Sequence, residues 1–303
     1  MTRVVVTGRD IDRGLGDRLR AAGLDVREVT RATDADLAWA DCLTGFRWPE
    51  GATQRVGWIH VTGLGLDGMS DAPRPDLMTR TVGTMPLQMG RYVAAAVASF
   101  AERHDELARA QGAGDWLDLG VREWPTSALV LGTGLAAQGV ARSLRGLGLS
   151  VVGVNRSGRP APDFDRCVAW GDLDDAAASN PGVVVNLLPL TDATRDSVGS
   201  SLFEHLAGAL FVNPGRGATV DEVALQAALA LGNVRAAWLD VHRVEPLPRD
   251  HWAWAHPRVR VTPHLAAITR AEDAAADLLA ALAALERGET PPTAVDPSEY
   301  RLT

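Results

Sequence analysis

The sequence predicts a two-domain α/β fold built on parallel sheets with helices on both faces. Three observations predict it. Short apolar runs alternate with helix-patterned segments for most of the chain, the pattern of strand–helix–strand units. The run at 183–188 is almost wholly apolar, as a strand is when both sheet faces are covered. The length of 303 residues allows two domains at roughly 150 residues each.

The elements follow in order. Residues 4–6 read as a strand. A helix-like stretch at 11–23 closes on Gly23, and 24–29 is a second strand. A third, at 56–62, ends on Gly63-Leu64-Gly65. After Pro86 the composition changes: 89–111 is alanine-rich with helical periodicity and one glycine, Gly90, so a long connecting helix is expected. A turn-rich stretch at 112–125 leads to a new series. Its strands are expected at 128–131, 150–154, 183–188, 209–212, 234–239 and 259–261, with a helix at 135–147. The closing segment, 270–287, reads as an amphipathic helix long enough to return to the first domain. The expected organisation is therefore a discontinuous domain (1–95 plus about 275–303) with a second domain (96–274) inserted into it.

Composition removes several classes of function. Hydrophobic residues make up 46% and charged residues 22%, enough to bury a large core, so global disorder is excluded. All 30 cationic residues are arginine. Without lysine there is no Schiff-base chemistry and no P-loop lysine for nucleoside triphosphates. The net charge of −8 argues against general nucleic-acid binding, which needs clustered cations. No apolar run approaches a membrane span. The only cysteines, Cys42 and Cys167, cannot form a disulfide scaffold. No signal-peptide pattern precedes the first strand, and a reducing cytoplasm is the expected location. No histidine spacing suggests zinc, so no metal site is expected. No serine lies in a G-x-S-x-G turn.

The segment Leu131-Gly132-Thr133-Gly134-Leu135-Ala136-Ala137 matches G-x-G-x-x-G/A, follows a strand and opens a helix. Gly132 permits the tight turn, Gly134 lets a pyrophosphate approach the backbone, and Ala137 allows close helix–strand packing. Amides at the start of the helix, with its dipole, attract the anion. This predicts a Rossmann-type doubly wound sheet that binds a dinucleotide. The next strand runs into Asn155-Arg156-Ser157-Gly158-Arg159, where an NAD enzyme usually has Asp or Glu for the ribose hydroxyl. A carboxylate would repel a 2′-phosphate; Arg156 and Arg159 can pair with one. NADPH is expected in preference to NADH.

Three charged groups follow later strands: Arg216 in Asn213-Pro214-Gly215-Arg216-Gly217, Glu245 in Leu239-Asp240-Val241-His242-Arg243-Val244-Glu245-Pro246-Leu247-Pro248, and His264 in Thr262-Pro263-His264. Open α/β sheets bind ligands beyond such strand ends. With Asn186-Leu187-Leu188-Pro189-Leu190-Thr191 and His256-Pro257-Arg258-Val259, these motifs resemble those of the D-isomer-specific 2-hydroxyacid dehydrogenases, most of all the glyoxylate/hydroxypyruvate reductase A branch. Order and spacing fit from about 85 to 290; the first 80 residues fit more loosely, through Gly65-Leu66-Asp67.

The resemblance implies a smaller flavodoxin-like α/β domain around the Rossmann domain, and a homodimer. It implies that Arg216 grips the carboxylate and carbonyl of a 2-keto acid, and that His264 protonates the carbonyl oxygen. Glu245 would then orient His264 and favour its protonated form. Leu64 and Gly65 would hold the substrate carboxylate through backbone amides, and Asp240 would lie by the nicotinamide. Leu188, Pro189 and Pro214 would line the cofactor. His242 stands where the family usually has an aromatic residue, and Arg47-Trp48 lies in a loop expected to approach the substrate. The expected activity is NADPH-dependent reduction of small 2-keto acids, with glyoxylate and hydroxypyruvate first. A non-catalytic NAD(P)-sensing protein on the same fold is the alternative. Trp238, Trp252 and Trp254 are expected to serve packing or an interface.

Overall fold

The computed structural model describes residues 1–8 and 14–296. The expected helix start at 11–13 lies outside the described residues. In chain order the elements begin with β1 (Arg3–Thr7), α1 (Leu15–Ala21), β2 (Asp25–Val29), α2 (Asp34–Trp39), β3 (Cys42–Gly45), β4 (Trp58–Val61) and β5 (Leu77–Arg80). Next come α3 (Met85–Ala101), α4 (His104–Ala113), β6 (Ser127–Leu131), α5 (Leu135–Gly146), β7 (Ser150–Asn155), β8 (Arg166–Ala169) and α6 (Leu173–Ala178). Then follow β9 (Val183–Asn186), α7 (Ser200–Phe203), β10 (Ala209–Asn213), α8 (Glu222–Leu231), β11 (Val234–Leu239), β12 (Val259–Val261), α9 (Ala271–Glu286) and β13 (Ala294–Val295).

The chain forms two units, Met1–Met85 with Ile268–Thr303, and Pro86–Ala267. The junctions differ from the expected ones near 95 and 274. The cause is α3: its buried Met89, Val93, Ala96 and Val97 pack with Val130, Val140 and Leu144 in the core of the second unit. The single helix expected at 89–111 is also two helices. The chain breaks at Arg103, whose φ of 55° is left-handed, and α4 starts afresh after it.

In the first unit a six-stranded sheet runs β13-β5-β4-β3-β1-β2, parallel except for β13 against β5. Period-two alternation sorts its side chains. Val4, Val6 and Trp58 pack with Leu15, Leu19, Leu278 and Ala281, whereas Val5, Ile59 and Val61 pack with Leu37, Leu43 and Met78. Helix α9 is built from strong helix formers and buries Ala271, Ala274, Ala275, Leu278, Ala281 and Ala284 on one stripe. Its Asp277 accepts from the Val82 and Gly83 amides at 2.7 and 2.9 Å, fixing the strand that leaves β5.

The second unit holds a seven-stranded, all-parallel sheet in the order β12-β11-β10-β9-β6-β7-β8. Val183, Val184 and Val185 of β9 are wholly buried, each contributing roughly 1.5–3 kcal/mol by leaving water. Helices α3 and α5 meet at glycines, because a Cβ on Gly90 would lie 2.6 Å from the Gly139 carbonyl oxygen. The chain leaves β6 toward β7 and β8, then returns to β9 on the other side of β6. That reversal opens a crevice at the carboxyl ends of the strands, where doubly wound sheets bind ligands. Among the described residues, no helix is long and apolar enough to cross a membrane.

Candidate active site

Six neighbouring strands of the second unit, β7, β6, β9, β10, β11 and β12, end in the loops that carry the site residues expected in that unit. The first of these, after β6, turns at Gly132, whose φ of 102° suits glycine, and a Cβ there would press on the Leu187 carbonyl at 2.9 Å. Gly134 caps α5 without a side-chain cap, and a Cβ on it would meet nothing within 4 Å. The first-turn amides of Leu135, Ala136 and Ala137 therefore adjoin open space, as a pyrophosphate site requires. Ala137 is buried against the sheet.

At the end of β7, Asn155 Nδ2 donates to Thr133 Oγ1 at 3.2 Å and to the Arg159 carbonyl at 2.8 Å. Its Oδ1 accepts from the Ser157 amide at 3.1 Å. Asn155 thus ties the arginine-bearing turn to the glycine loop. Arg156 and Arg159 are exposed, and neither guanidinium has an ion-pair partner among the described residues. These loops fit a dinucleotide: bare backbone for the phosphates, and cations where the adenosine ribose would lie.

Two asparagines that end adjacent strands set the Arg216 loop. Buried Asn186 donates to Asn213 Oδ1 at 2.9 Å and to Thr219 Oγ1 at 2.7 Å; Thr219 then donates to the Arg216 carbonyl at 2.7 Å. Asn213 Oδ1 also accepts from the Gly215 amide at 3.2 Å. Gly215 must lack a side chain, because a Cβ would sit 2.7 Å from the Asn186 carbonyl. Arg216 is half-buried and donates to the Gly215 carbonyl at 2.8 Å. Leu188 is buried with its amide on Asn186 Oδ1, and the Pro189 carbonyl accepts from Thr194. Pro214 is buried in the same row.

Glu245 and His264 meet directly: Glu245 Oε2 lies 2.8 Å from His264 Nδ1. An ionised carboxylate only accepts, so Nδ1 carries the hydrogen. Nε2 has no partner among the described residues. The other Glu245 oxygen accepts from the His242 amide at 2.9 Å. Burial is the largest single influence on Glu245 and acts to raise its pKa. The His264 hydrogen bond, the His242 amide and the charges of both imidazoles together overcome burial, holding the carboxyl below its ordinary range. The side chains of His264 and Glu245 are 49% and 36% exposed, so a reactant can reach the pair.

Asp240, expected beside the nicotinamide, directly follows the end of β11. It is wholly buried, and its carboxylate accepts from Thr262 Oγ1 at 2.6 Å and from the Leu265 and Ala266 amides at 2.9 and 2.8 Å. Its carbonyl accepts from the His264 amide at 2.8 Å. These bonds hold His264 in a left-handed conformation, φ 52°, that residues other than glycine seldom adopt. His242 donates from Nε2 to the Thr262 carbonyl at 3.3 Å, and its backbone lies against Gly217, where a Cβ would come within 2.1 Å of the His242 carbonyl carbon. His242 therefore touches all three loops that carry Arg216, Glu245 and His264.

Beyond Glu245, the indoles expected to serve packing are anchored by polar bonds. Trp252 and His251 both reach Glu222 Oε2, at 2.9 and 3.0 Å, and Trp254 donates to the Pro248 carbonyl at 2.8 Å. In the first unit, the Leu64 carbonyl accepts from Arg80 at 3.0 Å. The amides of Leu64 and Gly65 have no acceptor among the described residues. Nearby, Arg47 is exposed, whereas Trp48 is buried and donates to the Ala52 carbonyl at 3.0 Å.

The sequence reading did not single out Thr219 or the structural work of Asn186 and Asn213. The signal available was the same residue type ending two consecutive strands.

Comparison with known proteins agrees with this arrangement. Residues 94–266 match the model of the D-isomer specific 2-hydroxyacid dehydrogenase NAD binding domain. An uncharacterised Streptomyces coelicolor protein is 40% identical over 250 residues, covering 80% of this chain and 88% of its own. A glyoxylate/hydroxypyruvate reductase A from Serratia proteamaculans is 34% identical, covering 80% of each chain. A D-isomer specific 2-hydroxyacid dehydrogenase from Xanthobacter autotrophicus, solved with NADPH and MES, superposes with a TM-score of 0.87 at 31% identity, covering 99% of this chain and 100% of that one. An NADPH-dependent glyoxylate/hydroxypyruvate reductase from Sinorhizobium meliloti, solved with NADP and sulfate, gives 0.85 at 25% identity, covering 98% of each chain. With its Rossmann sheet, glycine loop and Glu245–His264 pair, this chain belongs to the D-isomer specific 2-hydroxyacid dehydrogenases, a family of NAD(P)-dependent enzymes.

Proposed function

We propose that the protein reduces small 2-keto acids to 2-hydroxy acids with NADPH, with glyoxylate and hydroxypyruvate as first substrates. The observation that carries this reading is the 2.8 Å Glu245–His264 bond, in the same row of strand ends as Arg216 and the Gly132–Gly134 loop. The residues of that loop and of Leu188, Pro189 and Pro214 would hold the dinucleotide. Its reduced nicotinamide supplies the hydride. Arg216 offers a planar fork of donors to the substrate carboxylate and carbonyl oxygen, orienting the ketone and polarising it. His264 gives its Nε2 proton to the carbonyl oxygen as negative charge develops there. Glu245 fixes the ring through Nδ1.

The preference for NADPH rests on Arg156 and Arg159, exposed and without ion-pair partners among the described residues, with no carboxylate in their turn. Bidentate contacts to a 2′-phosphate are worth roughly 1.5–3 kcal/mol each. Replacing both arginines by alanine is expected to lower kcat/KM for NADPH by at least about tenfold and to leave NADH nearly unchanged. Equal losses with both cofactors would refute the assignment.

The proposal extends to a cytoplasmic homodimer. Supporting the dimer, Trp116 and Val121 in the segment between α4 and β6 are 99% and 96% exposed. A monomer by sedimentation would end that part.

The test of function is a keto-acid panel (glyoxylate, hydroxypyruvate and bulkier homologues) with each cofactor, followed by loss of reduced-nicotinamide absorbance. Turnover of the small acids with NADPH is expected. Tight cofactor binding without turnover of any keto acid would overturn the reading in favour of a sensing protein.

A further inference from the structure

Outside the reacting residues, one chain of polar groups leads from helix α3 to the turn that bears His264. Tyr92, on α3, places its hydroxyl 2.7 Å from Thr262 Oγ1. Thr262 Oγ1 lies in turn 2.6 Å from Asp240 Oδ1. The directions follow from hydrogen counting. Thr262 donates its single hydroxyl hydrogen to Asp240, so Tyr92 must donate to Thr262. From Asp240 the contacts continue into the backbone, to the Leu265 and Ala266 amides and, through its carbonyl, to the His264 amide.

We propose that Tyr92 and Thr262 are positioning residues for the proton-donating step: they orient the buried Asp240 carboxylate, which fixes the strained turn that aims His264. The inference rests on the reading of His264 as the acid and adds residues to it.

Three further observations support it. The Tyr92 ring is itself held, standing edge-on to Trp238 at a centroid distance of 6.0 Å, with the Arg260 guanidinium over that indole at 5.3 Å. Burial, the largest influence, and the Asp240 charge push the Tyr92 phenol above its ordinary range, against the opposing effects of Thr262 and Arg260. The phenol therefore remains a donor wherever the enzyme works. Finally, His264 holds φ 52° without being glycine, so its geometry depends on the bonds around it. Glu245 restrains the ring of His264, and the Tyr92 chain restrains its backbone. Both restraints reach His264 from the loop after β11, one from Asp240 at its start and one from Glu245.

The experiment compares wild type with Tyr92→Phe, Thr262→Val, Thr262→Ser, the double variant Tyr92→Phe/Thr262→Val, and His264→Asn. For each, kcat and KM for glyoxylate and NADPH are measured against pH, together with Tm. Phe keeps the ring on Trp238, so folding should survive. The expected result for Tyr92→Phe is a fall in kcat of about fivefold, KM values within about twofold, and an alkaline limb displaced to lower pH. Thr262→Ser should restore most of kcat, because it keeps the hydroxyl. The double variant should be little worse than Thr262→Val, because both act through Asp240. A Tyr92→Phe enzyme with lowered Tm but an unchanged kcat–pH profile would overturn the proposal and leave Tyr92 a packing residue. Additive losses in the double variant would overturn it equally. His264→Asn separates the layers: if it abolishes reduction while Tyr92→Phe changes nothing, the positioning chain fails and the acid stands. If it leaves reduction intact, the acid assignment itself fails.

Discussion

Replacing Glu245 by glutamine removes one charge from the site and little volume. In the wild type, Oε2 accepts from His264 Nδ1 at 2.8 Å and Oε1 from the His242 amide at 2.9 Å. A glutamine has one acceptor oxygen, so it can satisfy one of those donors well and turns an amide toward the other. A charge-assisted hydrogen bond contributes roughly 1.5–3 kcal/mol and a neutral one roughly 0.5–1.5. With side chains 49% and 36% exposed, solvent screens the pair, and the lower end applies to the free enzyme. A loss of about 1–2 kcal/mol in the transition state, where the imidazole's charge changes, corresponds to a fall of roughly 5- to 30-fold in kcat/KM. The sign of the pH effect follows from the depressed Glu245 pKa. The carboxylate is ionised through neutral pH, and its hold on His264 is lost only as pH falls through that depressed value. Glu245→Gln should therefore lose rate wherever the wild-type carboxylate is ionised, and the difference should shrink as pH falls through the depressed Glu245 value. The assay is the initial rate of glyoxylate reduction across pH with NADPH saturating. A variant whose profile superimposes on the wild type, at equal amplitude, would refute the reasoning.

Two other outcomes follow from the same structure. Arg216→Lys keeps the charge and loses the planar fork, so kcat/KM for the keto acid should drop by at least about tenfold, with NADPH binding retained; near-wild-type kinetics would remove Arg216 from the mechanism. His60 is wholly buried between Thr79 and Thr81, at 2.8 and 3.0 Å, and burial depresses its pKa from 6.5 to about 3. The unfolded chain binds a proton below 6.5 that the folded chain refuses, so stability is lost as pH falls through this window, by about 1.4 kcal/mol per pH unit. His60→Gln should flatten the pH dependence of unfolding between about pH 6.5 and 5, and equal slopes would contradict the account.

The nucleotide-binding half was more legible than the rest for a physical reason. Its central strands β9 and β10 are buried along their whole length, so they stand out as apolar runs between turn residues. β8, with the exposed and partly buried sequence Arg166-Cys167-Val168-Ala169, lies at a sheet edge and gives no such signal. β3 and β5, four residues each, are too short to show alternation. The periodicity at 89–111 was real on both sides of Arg103, and only the backbone reveals the break. Within the site, residue types and strand-end positions pointed to Arg216, Glu245 and His264, and the Glu245–His264 contact follows that reading. The task of Asp240 in the His264 turn could not be read in the same way. Its partners are backbone amides 25 and 26 residues further on, and an amide has no signature in a sequence. The Asn186–Asn213–Thr219 lock is equally hidden until β9 and β10 lie side by side.

The central claim is that His264, held by Glu245, delivers the proton that accompanies reduction of a 2-keto acid. The most direct measurement is the rate of NADPH-dependent glyoxylate reduction by wild type and His264→Asn at matched cofactor occupancy across pH. The account predicts that the wild type slows on the alkaline side, while the variant is slower by at least about 100-fold and has lost that limb. A His264→Asn enzyme that reduces glyoxylate at the wild-type rate, with the wild-type pH dependence, would contradict it.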